Sequence, residues 1–128
     1  LKVKEVSMKL ADAAAFGLAD DGDLYYEYEP SHQLLVKEKH WWVQAEAMVG
    51  FFNAYQLSND ENYLEKSLRV WEFIKMHILD KQNGEWYWGV LDDGTVMTGE
   101  DKIGLWKCPY HNSRACIEII RRVKNSET

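Results

Sequence analysis

Residues 40–57 read HWWVQAEAMVGFFNAYQL, and this stretch decides the fold. Its apolar residues fall on nearly every face of a 3.6-residue helix, so no solvated stripe remains. A helix of that kind lies buried on most sides, as the inner helix of a two-layer helical array does. The next stretch, SNDENYLEKSLRVWEFIKMHILD, behaves differently. Ser58 and Glu61 are spaced as a capping box, and Leu64, Leu68, Trp71 and Ile78 form one apolar stripe opposite a charged face. That combination predicts an outer helix packed on the inner one.

Upstream, Val3, Val6, Leu10, Ala13 and Gly17 keep helical spacing until DDGD at 20–23 stops the helix. LYYEYEPSHQLLVKEK, 24–39, alternates around Pro30 and Ser31 and predicts a hairpin. Downstream, GEWYWGVLDDGTVM at 84–97 predicts a second hairpin, with Asp93-Gly94 at its turn. Trp86 and Trp88 share one face of it and are assigned to the core. Pro109 suits a first helical position, so the last helix is expected from Pro109 to about Lys124. The expectation is an all-α chain: about four helices in inner/outer pairs, with short β-hairpins. Such pairs build α/α barrels, and a closed barrel needs more helices than this.

Composition narrows the function. At 128 residues and 46% hydrophobic, the chain supports one modest core in one domain. A net charge of −6 argues against a nucleic-acid partner. No apolar run reaches the roughly 18 residues that a membrane span needs. LKVKEVSMKLADAAAFGLAD at the start carries too much charge for a leader peptide, and its first residue, Leu1, points to a piece of something longer. Cys108 and Cys116 match no zinc spacing and are expected reduced and buried, which suits a cytoplasmic protein. Six Trp and seven Tyr exceed the needs of a small core and point to a binding cleft.

Few residues could carry chemistry. Trp42 and Glu46, four apart, share a face of the inner helix, where a carboxylate is costly unless paired or used. A purely structural Glu46, satisfied by an Arg or by backbone donors, is the competing reading. Trp41 and Trp42 diverge by about 100° on a helix, so one belongs to the core and the other to the cleft. His111 falls in the first turn of the last helix. A helix N-terminus disfavours imidazolium, which leaves the ring a neutral base, and it favours negative charge such as that of an enediolate. The competing reading is a histidine that merely bonds a loop. His32 and His77 are expected at the surface and His40 in a structural role. Arg114 is expected to pair with Glu46 or Glu118, without a catalytic part.

Three blocks carry a resemblance: KHWWVQAEAMVGFFNAYQL, LRVWEFIKMHILDKQNGEWYWGV and DKIGLWKCPYHNSRACIEIIRR. Together they resemble the carboxyl-terminal part of the N-acylglucosamine 2-epimerase superfamily, nearest its cellobiose 2-epimerases, including those that act on mannobiose. The resemblance implies that residues 1–128 form one carboxyl-terminal segment of an (α/α)6-barrel epimerase domain. It also implies a β-1,4-linked disaccharide substrate and no metal or nucleotide cofactor. Glucose and mannose would be interconverted at the reducing end by removing and returning the carbon-2 proton through an enediolate. His111 matches one of the family's two catalytic histidines. Trp42 and Glu46 match a required tryptophan and glutamate, and Trp106 matches a tryptophan lining the sugar site. The second histidine, in a GHxxE-type block, has no counterpart here. The partner expected is therefore the missing amino-terminal part of the barrel, or self-association. An N-acylglucosamine 2-epimerase and a non-catalytic carbohydrate-binding or assembly segment remain alternatives. A glycoside hydrolase needs two carboxyls across the bond, and only Glu46 offers one.

Overall fold

The computed structural model describes residues 2–126. The order of elements is α1 (Lys2–Ala15), β1 (Glu27–Glu29), β2 (Leu34–Val36), β3 (Lys39–His40), α2 (Trp41–Ser58), α3 (Glu61–Phe73), β4 (Gly89–Val90) and α4 (Tyr110–Ser126), with α3 continuing into a π-helical turn, Ile74–Ile78. α2 is the hub, touching α1, α3 and α4. Trp41, Ala45, Phe51 and Ala54 are each at most 2% exposed, so its burial extends around the helix as its composition requires.

The α2–α3 corner takes two residues. Asn59 adopts a left-handed conformation (φ 60°) and its N–H closes on the Tyr55 carbonyl. Asp60 then caps α3, its carboxylate accepting from the Asn62 N–H at 3.0 Å. The expected capping box is absent. The Ser58 hydroxyl instead donates back to the Ala54 carbonyl at 2.8 Å, so it finishes α2 rather than starting α3.

The buried face of α3 also differs from the expected stripe. Ser67, Val70, Ile74 and Ile78 face α2, while Leu68 is 53% exposed and Trp71 half-buried. The Ser67 hydroxyl bonds the Met48 carbonyl at 2.8 Å, and this small residue lets the two helices approach closely. Large apolar side chains at 64, 68 and 71 are displaced onto an open groove shared with α4. The stripe on α1 is likewise uncovered, with Val3 79% and Leu10 66% exposed.

The first hairpin forms as expected, Glu27 pairing with Val36. The second closes at Asp93-Gly94 as expected, though briefly: Val90 bridges Val96, and the Leu91 and Met97 N–H groups bond the Thr95 and Gly89 carbonyls at 2.8 and 3.0 Å. β4 also pairs antiparallel with β3, His40 opposite Gly89. A Cβ on Gly89 would lie 2.7 Å from the Lys39 carbonyl oxygen, so this pairing excludes a side chain there. Trp86 joins the core, and Trp88 is half-buried against the His40 ring. Cys108 is exposed and Cys116 half-buried, both unpaired, contrary to the expected burial. Cys108 lies in the loop before α4, where no second layer covers it. His77 is half-buried at the surface, its ring packing 4.9 Å from that of Phe73.

Two buried polar contacts fasten the loop after α1. Gln44, fully buried, accepts from the Leu24 N–H at 2.9 Å and donates to the Leu24 carbonyl at 2.7 Å. Beside it the Asp23 carboxylate is buried without a hydrogen bond, 3.2 Å from the Lys39 ammonium. Burial, helped by the neighbouring Asp21 carboxylate, pushes the Asp23 carboxyl up to about 7.

Leaving a buried backbone group unsatisfied costs about 1–3 kcal/mol. Gln44→Leu orphans two, so a stability loss of about 2–5 kcal/mol is expected in urea denaturation. A loss below about 1 kcal/mol would show that water replaces the amide. Asp23 sets a pH dependence. Its folded-state pKa lies above the unfolded value of 3.8, so between about 4 and 7 the folded state holds more protons than the unfolded one. Its contribution to stability is then complete below pH 4 and is lost as pH rises through 7. Asp21 is shifted down and Lys39 up, so both act outside that window. Urea midpoints measured at pH 5 and pH 8 are expected to fall with pH, and Asp23→Asn to flatten the difference. An unchanged slope in that variant would refute the assignment.

Candidate active site

α2 and α4 meet at Glu46. Its Oε1 lies 2.8 Å from Nδ1 of His111, and its Oε2 is bonded by the Arg114 guanidinium. α4 begins at Tyr110, one residue after Pro109, so His111 sits in the first turn as expected. Arg114 follows one turn later on the same face, which lets a single carboxylate hold both side chains. Burial acts to raise the Glu46 carboxyl, but the hydrogen bonds from Arg114 and His111 outweigh it and keep the group below the usual carboxylate range.

An ionised carboxylate only accepts, so Nδ1 of His111 carries the proton in this contact. In that tautomer Nε2 is the nitrogen left to carry the lone pair, and it makes no hydrogen bond among the described residues. The side chains of His111, Glu46 and Arg114 are each about one-third exposed, so the group opens to solvent. A ring held in this way can act as a general base, with the carboxylate orienting it.

Aromatic rings wall the His111 imidazole. Trp42 lies 5.9 Å from the His111 ring and is 38% exposed. Trp41 meets the same ring edge-on at 5.4 Å but is only 2% exposed, so the division between core and cleft falls as the helical angle requires. Tyr110 adds a third ring at 5.0 Å. From Trp42 the row runs on through Tyr26 (6.3 Å) to His40, whose ring stacks on Tyr26 at 4.1 Å. His40 is held by Glu38 at 2.8 Å. Trp42 and Glu46 also line a groove of about 380 Å³ that extends toward α1.

Of the residues singled out from sequence, His111, Trp42 and Glu46 come together. Trp106 does not. It stands 84% exposed on the turn closed by Gly104 and Lys107, with no ring contact to Trp42 or His111 among the described residues. Tyr26, Trp41 and Tyr110 were not foreseen as neighbours of His111 or Trp42. Tyr26 arrives from the hairpin, and no local spacing reports that. Tyr110 was within reach of inference, being adjacent to His111. Among the described residues no group of His, Cys, Asp and Glu has the arrangement of a metal site.

The chain is similar to known proteins over most of its length. The N-acylglucosamine 2-epimerase (GlcNAc 2-epimerase) family profile matches residues 7–115. The cellobiose 2-epimerase of Bacteroides fragilis is 43% identical over 119 residues, covering 93% of this chain and 30% of that protein. The cellobiose 2-epimerase of Ruminococcus albus is 45% identical over 119 residues, covering 92% and 30%. A solved sugar epimerase from a ruminal bacterium superposes with TM-score 0.88 at 43% identity, over 94% of this chain and 31% of that one. The chain thus spans about 30% of the length of the relatives it matches. The helix pairs form part of the (α/α)6 barrel of these epimerases, as the sequence led us to expect. With more than half of its residues matched and such identity to its relatives, the chain belongs to the N-acylglucosamine 2-epimerase family.

Proposed function

We propose that this chain is the carboxyl-terminal segment of a sugar 2-epimerase that interconverts glucose and mannose at the reducing end of β-1,4-linked disaccharides. The observation that carries the reading is the 2.8 Å contact that fixes Nδ1 of His111 on Glu46, beside an open indole. In the open-chain sugar, Nε2 takes the proton from carbon 2. The electrons of that C–H bond form the carbon 1–carbon 2 double bond, and the carbonyl oxygen gains the negative charge. The N–H groups at the start of α4 favour that charge. A second base, on the opposite face and supplied from outside this chain, returns a proton to carbon 2 and inverts it. In the other direction the roles exchange, and His111 returns the proton. Trp42 offers its flat apolar face to the sugar ring. Trp106, on its exposed turn, would reach the sugar from the rim.

The partner in this reading is the rest of the barrel. Two apolar grooves flank the chain: one beside α1, and one of about 530 Å³ lined by Phe52, Leu68, Trp71 and Ile120 among others. Uncovered apolar surface on this scale marks an interaction site. Further helices of the same protein fit both, with self-association as the alternative occupant. The reading places the enzyme in the cytoplasm, consistent with two unpaired cysteines.

The full-length protein carrying this segment, given cellobiose or mannobiose, is expected to produce the carbon-2 epimer without releasing monosaccharide. His111→Asn should lower turnover by about 10²- to 10⁴-fold at unchanged folding, the usual worth of a positioned base. Near-normal turnover in that variant would end the assignment. The tautomer gives an independent check. Long-range ¹⁵N–¹H spectra at pH 8 are expected to show His111 as the Nδ1–H form, and Glu46→Ala to shift it toward the Nε2–H form that free imidazole side chains prefer. An Nε2–H form already present in the unaltered protein would contradict the proposed base.

A further inference from the structure

Behind the site lies a buried ammonium that the proposed reaction does not use. Lys107 is 1% exposed. Its Nζ donates to Glu85 Oε1 at 3.1 Å and to the carbonyls of Trp86 and Lys102, each at 2.8 Å. A buried charge persists only when it is paired and hydrogen-bonded in this way. Burial draws the amine below its ordinary range, and the Glu85 carboxylate opposes that shift.

Two routes lead from this pair to His111. The oxygen of Glu85 that holds Lys107 also accepts from Asn112 Nδ2 at 2.8 Å, and Asn112 is the residue next to His111. The ammonium itself stands 4.5 Å from the centre of the Trp41 ring, which meets the His111 ring edge-on at 5.4 Å. One carboxylate therefore bears on the imidazole through its own helix turn and through the indole beside it.

The backbone at 85 adds an independent sign. Glu85 has φ 61°, directly after Gly84 at φ 75°. The left-handed region suits glycine and disfavours residues with a Cβ, so a second glycine would serve the turn better. A glutamate held there is explained by what its carboxylate does.

We propose that Glu85 is a positioning residue for the epimerisation, setting the depth and direction of the His111 imidazole through Lys107 and Asn112. The inference rests on the reading of the site as a sugar 2-epimerase. Glu85→Gly removes the carboxylate and relieves the backbone, but it also strips the buried Lys107 ammonium of its counter-ion, so folded fraction is measured alongside activity. Asn112→Ala cuts the link to α4 separately, and Glu85→Gln keeps an acceptor for both donors.

In the full-length protein, Glu85→Gly and Asn112→Ala are expected to lower kcat about 10- to 100-fold with KM within about threefold, as misplaced catalytic groups do. Glu85→Gln should remain within about fivefold of the unaltered enzyme. In deuterated water, the two weakened variants should also exchange carbon 2 without inverting it more often. That change should appear for one epimer only, the one whose inversion needs His111 to deliver the proton. Wild-type kcat and inversion ratios in Glu85→Gly, or activity lost only in proportion to folded protein, would overturn the proposal. Absence of epimerisation by the unaltered protein would instead defeat the functional reading beneath it.

Discussion

A helix that is apolar on every face has to be covered on every face, and that requirement on α2 organises the chain. α3 takes one side through Ser67 and Val70, and α4 and α1 take others. The loop at 20–24 is tied to α2 through Gln44. Glu46 belongs to this scheme as well, because a carboxylate on such a helix is stable only when an ion pair or strong donor meets it. Arg114 and His111 supply both, and their pairing joins α2 to α4. The demand for burial and the joining of His111 and Arg114 to Glu46 are thus one arrangement.

The same hub separates two kinds of aromatic residue. Trp41 is enclosed between the Lys107 ammonium and the His111 ring, so its role is to transmit packing to the site. Trp42, one residue on, stays partly open beside the His111 ring. Neighbours in sequence are divided by the turn of the helix into a support and a surface.

Much of this was legible in the residues. The all-round apolar pattern at 40–57 identified the inner helix, and Pro109 placed His111 in a first turn, because both signals are local. The face of α3 was misread because size guided the choice of stripe. Leu64, Leu68 and Trp71 are large, but close approach to α2 selects Ser67, and only the partner helix reveals that. The capping box failed for a related reason, since Asp60 lies nearer the α3 start and competes successfully with Ser58. Lys107 gave no sign of its burial, because a lone lysine in a loop reads as solvated until its three acceptors, brought from 85, 86 and 102, are in place. The row through Tyr26 and His40 was hidden for the same cause, being made by a hairpin folding across a helix end.

The two-residue corner at Asn59 and Asp60 bears on the order in which the molecule is built. Docking α3 on α2 closes almost no loop, so its entropic cost is small. Joining His111 to Glu46 spans 65 residues and takes in every turn between. Local pairings of this kind form early in folding, and distant ones follow once their ends are held. The α2–α3 pair is thus suited to be the scaffold on which the rest condenses, with the distant His111–Glu46 contact closing after it. During synthesis, α2 and α3 leave the ribosome before α4, so Glu46 is made well ahead of the histidine that it holds.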